Sequence, residues 1–119
     1  MQNRAMTLPR DRWQEQLDEL TEQFAGGSVT IELLDQEFGD EEEVERLPLA
    51  YVAYDPKDDV VIVAVGGQSA RYPVVLRHIV DDPQRIAVDP LGEGEDAPVG
   101  IDVAGGDGGR TIVTIHRQP

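Results

Sequence analysis

The chain has 119 residues, 39% of them hydrophobic and 5% aromatic, which is enough for one domain with a core of Val, Ile, Leu and Ala. It contains no cysteine, which excludes disulfides, thiolate catalysis and Cys-ligated zinc. Twenty-four acidic residues against ten basic ones give a net charge of −14, which disfavours nucleic acid, anionic membranes and polyanionic substrates as partners.

Residues 1–7 read as a flexible arm ahead of a single domain over 8–117. The arm has no apolar centre of a signal peptide, and no apolar run in the chain approaches a membrane span. A soluble cytoplasmic protein is expected. A helix is predicted to begin near Leu8-Pro9, because a first-turn proline lacks only an N–H that would go unpaired there. Trp13, Leu17, Leu20 and Phe24 then recur at spacings of four, three and four along one stripe, with Arg12, Glu15, Asp18, Glu19 and Glu22 on the other face. Gly26-Gly27 supplies the stop. The apolar stripe is expected to cover the sheet that follows.

Residues 28–34 alternate, with Val29, Ile31 and Leu33 inward. The stretch 35–46 holds seven acids and one arginine around Phe38-Gly39 and Val44, and reads as a turn or mobile acidic loop. A second strand is predicted over 47–54, with Pro48 at its start. Asp55-Pro56-Lys57-Asp58 is a tight turn into a third strand over 59–65. That strand carries six consecutive apolar residues from Val60 to Val65, a pattern that predicts cover on both faces and a central place in the sheet. A fourth strand follows over 71–80, where Pro73 argues for an edge or a bulge. A short fifth strand is read over 84–89 and a loop over 90–98. Residues 99–103 and 110–116 form a second hairpin around a glycine-rich turn. The expected class is α+β: one N-terminal helix on a mainly antiparallel, strongly twisted sheet, or a small partly open barrel, of about six to seven strands.

Candidate chemistry is sparse. Asp35, Glu37, Asp40 and Glu42 are weak metal candidates in the acidic stretch. They lack the alternating ligands and mid-loop glycine of a calcium loop, and consecutive glutamates cannot all face one ion, so a solvated charge run is the simpler reading. Gly105-Gly106-Asp107-Gly108-Gly109 resembles one unit of a calcium repeat, yet stands as a single copy, and a hairpin turn explains it better. Strand parity puts His78 on one face with Tyr72, Val74, Leu76 and Val80, and His116 with Ile112 and Thr114. Neither has an orienting motif, and structural roles are the commoner case. Tyr51, Tyr54 and Tyr72, with Arg71 and Arg77, could line a ligand groove or an interface, where Tyr and Arg are enriched. Ordinary cross-strand pairing is the competing reading. No cofactor motif and no activated nucleophile are evident.

Leu8-Pro9-Arg10-Asp11-Arg12-Trp13, then Leu17 and Phe24, then Val29-Thr30-Ile31-Glu32 and Leu47-Pro48-Leu49, resemble a small bacterial family, domain of unknown function 5335. The likeness spans roughly residues 8–116 and is strongest in the first third. It implies a compact single domain and carries no activity, cofactor or catalytic residue. The function expected from the residues is therefore a non-enzymatic binding or protein-interaction module, either a homo-oligomer through a sheet edge or the tyrosine-bearing face, or the receiver of another protein. The alternatives are a metal- or small-molecule-dependent enzyme using the acidic stretch with His78, and an acidic mimic of nucleic acid that occupies a DNA-binding partner.

Overall fold

The computed structural model describes residues 6–35, 39–67, 75–94 and 97–117. The side chains of 35, 39–45 and 75 lie outside that description. Among the described residues, eight antiparallel strands form one unclosed sheet in the order β1-β6-β7-β8-β2-β3-β4-β5, with a single α-helix packed against it. The α+β class holds, with one strand more than expected. The extra strand is β1 (Met6–Thr7), which pairs with β6 (Arg85–Pro90) through Met6 opposite Val88 and Thr7 opposite Ala87.

The helix starts later than the proline suggests. Pro9 is extended, a 3-10 turn spans Arg10–Arg12, and α1 runs over Trp13–Gln23. Trp13, Leu17, Leu20 and Phe24 are all buried, as their spacing predicts. Gly26 closes the helix at φ 85, a conformation that costs glycine little.

The acidic stretch is the main correction. From Gly39 onward it is strand rather than loop: β3 spans Gly39–Asp55, and its first part pairs with β2 (Ser28–Asp35). Two register shifts interrupt that ladder, between Val29 and Ile31 and between Ile31 and Glu32, and Arg46 takes φ 55 beside them. Bulges insert extra residues and destroy the period of two, so no alternation marks this strand in the sequence. Residues 36–38 lie outside the described set.

β3 then leaves β2, and its last part pairs with β4 (Val60–Gly66), which pairs in turn with β5 (Val75–Asp81). β4 is therefore next to last in the sheet, not central. Its inward Val61, Val63 and Val65 are buried, while outward Val60 and Ile62 are only half-buried. The six-residue apolar run reports a partly covered outer face. The second hairpin forms as expected from β7 (Val99–Ala104) and β8 (Arg110–His116). Inward side chains of both parts of the sheet meet the helix in one core, among them Ile31, Val52, Val63, Ile86, Ile101, Val113 and Ile115. That continuous core is what burial of the apolar faces drives.

Where β3 parts from β2 its backbone edge would stand open. The helix covers it: Thr21 Oγ1 accepts from the Val52 amide at 3.0 Å and lies 2.8 Å from the Val52 carbonyl.

Candidate functional site

Among the described residues, no element covers the other end of the sheet in this way. β5 is seven residues long and pairs with β4 in unbroken register from Val60–Asp81 to Gly66–Val75. Its far edge pairs with no strand among the described residues. Leu76 and Ile79 on it are 56% and 50% exposed. Alongside runs a groove of about 590 Å³, walled by β5 on one side and by the end of β2, the start of β8 and the β7–β8 turn on the other. Leu33, Leu34, Ile79 and Val80 give it apolar surface; His78, Asp81, Asp82, Asp107, Arg110 and Thr111 give it polar groups.

Local geometry fixes those groups. β5 turns into β6 at Asp82, which holds φ 50, and the Asp82 amide donates to the Asp59 carbonyl at 3.2 Å. A short polar side chain makes the left-handed conformation tolerable there. The β7–β8 turn lies against Asp82 so closely that a Cβ on Gly106 would sit 2.2 Å from the carboxylate, which would have to rotate away to admit it. Asp82 Oδ1 accepts from Gln84 Nε2 at 2.9 Å, and Asp107 Oδ1 accepts from the Gly109 amide at 2.9 Å. These neutral donors orient the two carboxylates. Arg110 is engaged on Asp102 through both Nε and Nη2, and that carboxylate holds its guanidinium pKa above the ordinary value. His78 Nε2 lies 3.4 Å from Thr111 Oγ1, a contact that ties β5 to β8 across the groove. Among the described residues no group of three or more His, Asp or Glu is placed to hold a metal ion.

The residues expected from the sequence divide between surfaces. Tyr51 and Arg77 meet on the outer face: the Arg77 Nε donates to the Tyr51 hydroxyl at 3.1 Å, with Ala64 between them in the register. Tyr54 points the opposite way into the core, 9% exposed, with its ring edge-on to Trp13 at 5.1 Å and its hydroxyl donating to Asp59 Oδ1 at 2.7 Å. That bond, then burial, raises its pKa above the usual 10.0. His78 lies in the groove. Arg71, Tyr72 and Glu37 fall outside the described residues. Asp40 stands opposite Leu34 and Glu42 opposite Glu32 on the β2–β3 ladder, while Asp35 ends β2 opposite Gly39. His116 is half-buried at the end of β8, and burial, with Arg46 nearby, lowers its pKa below the usual 6.5. The groove itself escapes sequence reasoning, since Leu33, Asp82 and the hairpin that carries Gly106 and Thr111 come from three distant stretches, and nothing local in any of them signals the others.

A family model described as a family of unknown function, DUF5335, matches residues 4–119. The chain belongs to that family. A protein of Aquifex aeolicus (strain VF5), described as an uncharacterized protein, is 32% identical to the DUF5335 chain over 109 residues, covering 91% of this chain and 88% of its own length. No solved structure matches the chain. In the DUF5335 fold no helix among the described residues is long and apolar enough to cross a membrane.

Proposed function

We propose that this DUF5335 chain is a non-enzymatic binding module that receives an extended segment along β5. One observation carries the reading: a seven-residue, unbulged edge strand with two large exposed apolar side chains, lying beside a groove. Natural sheets blunt such edges with short strands, bulges, prolines or a covering helix. This chain does so at its other exposed edges, with a two-residue β1 at one end of the sheet and Thr21 of α1 on β3. An edge left regular offers main-chain donors and acceptors to an incoming strand, while the groove takes its alternate side chains.

The test is a photo-crosslinking residue placed at Ile79, and at Glu19 on the outer face of α1 as the comparison. Discrete adducts from Ile79 that Glu19 does not give are expected in cells. Equal labelling at the two positions, or none at either, would refute the reading.

A further inference from the structure

We infer that the occupant of the β5 groove is an extended basic segment of about seven residues, with Lys or Arg alternating with apolar side chains. The inference rests on the binding reading above and specifies its partner. The open edge and the groove define the site; charge selects what enters it.

Of the carboxylates lining the groove, Asp81, Asp82 and Asp107 have no cation within ion-pair distance among the described residues, and the bonds to Asp82 and Asp107 come from neutral donors. Among the described residues that line the groove, the one arginine, Arg110, is already engaged on Asp102. A segment lying along β5 thus runs past Asp81, Asp82 and Asp107, in contact with exposed Leu76 and Ile79. The chain carries net charge −14, so a second copy would bring the same sign to the interface, whereas a basic segment is drawn in by the field. The length follows from β5, whose seven residues set the ladder available.

The experiment uses the full chain and three end-capped heptapeptides: alternating Lys-Val, alternating Glu-Val, and alternating Lys-Pro, which has the charge of the first and far fewer ladder donors. Amide hydrogen exchange over β5 and light scattering are read together. The Lys-Val peptide is expected to slow exchange across β5, and the other two to leave it unchanged. Replacing Asp81→Asn, Asp82→Asn and Asp107→Asn together keeps the side-chain acceptors, and should weaken Lys-Val binding about tenfold at low salt. If Lys-Val and Glu-Val protect β5 equally, the edge takes strands without regard to charge; the basic occupant is overturned and the binding reading stands. Dimeric protein with β5 protected before any peptide is added would overturn it in favour of a second copy. If no peptide alters exchange at β5, or Lys-Pro does as well as Lys-Val, strand addition itself fails and both readings fall.

Discussion

The amide of Asp82 donates to the carbonyl of Asp59 at 3.2 Å, and both aspartates hold left-handed backbone, at φ 50 and 53. This bond joins the β3–β4 turn to the corner where β5 becomes β6. Arg10 crosses the same junction, with Nη1 3.3 Å from Asp59 Oδ1 and Nη2 donating to the Pro83 carbonyl at 2.9 Å, while its guanidinium lies 4.2 Å from the centre of the Trp13 ring. Asp59 therefore combines a strained backbone with an acceptor for Tyr54 and an ion pair to Arg10.

Those contributions separate by substitution. Asp59→Asn keeps left-handed tolerance and an acceptor, and loses only an exposed ion pair, so it should cost less than about 1 kcal/mol. Asp59→Ala loses the Tyr54 bond and the local tolerance as well, and should cost about 2 kcal/mol. Urea denaturation of the two variants decides it. Equal costs would mean that neither the turn geometry nor the tyrosine bond matters.

Tyr54 gives the same junction a pH signature. Its hydroxyl donates to Asp59, so the folded protein holds the phenolic proton more tightly than the unfolded chain does. Stability from this source is fully present below pH 10.0, the unfolded value, and is lost as pH rises through the higher folded value. Tyr54→Phe keeps the ring against Trp13 and removes the titration, at a cost of about 1 kcal/mol near neutrality. The gap between parent and variant should stay constant below pH 10.0 and narrow as pH rises above it in denaturant melts. A gap that widens would contradict the bond.

The elements most readable in the sequence are those where pattern and burial agree. Trp13, Leu17, Leu20 and Phe24 fall on one helical stripe and are all buried; Val99, Ile101 and Val103 alternate and are all inward. β3 was not readable as a strand over 39–46, because acids have low strand propensity and two bulges break the period that would reveal pairing with β2. β1 is too short to carry a pattern. The groove depends on Asp82 turning the chain and on Gly106 letting the last hairpin come close, which are tertiary contacts between residues 24 positions apart. His78 stands out in the sequence for its chemistry, but Thr111, which it meets across the groove, lies 33 residues away.

Thr21 replaces a missing strand. Its hydroxyl accepts from the Val52 amide and has the Leu17 and Val52 carbonyls as acceptors at 3.1 and 2.8 Å. Thr21→Val preserves shape and strands the Val52 groups under the helix, which should cost about 1–3 kcal/mol. Thr21→Ser keeps the hydroxyl and should cost well under half as much. Faster amide exchange at Val52 in the valine variant alone would place the loss at the edge of β3.

Gly27 is the point where helix, β8 and β3 converge, and its substitution should be the most damaging at any glycine with a clash. Its carbonyl accepts from the Leu49 amide at 3.0 Å and its amide donates to the Phe24 carbonyl at 2.9 Å, so its backbone is held on both sides. A Cβ there would stand 2.2 Å from the His116 carbonyl oxygen and 3.0 Å from that of Phe24. Both obstacles are main chain, and neither can swing aside without breaking the β2–β8 ladder that pairs Ser28 with His116. The Cβ of an alanine at Gly106 meets an equal distance, but its obstacle is the Asp82 carboxylate, the free end of a side chain that needs only to rotate and give up its bond to Gln84. Gly27→Ala should therefore cost about 3 kcal/mol, the upper end of overpacking, and Gly106→Ala nearer 1. Thermal melts of both variants settle the order, and Gly106→Ala should in addition perturb exchange at Asp82 while leaving β2 and β8 as they are.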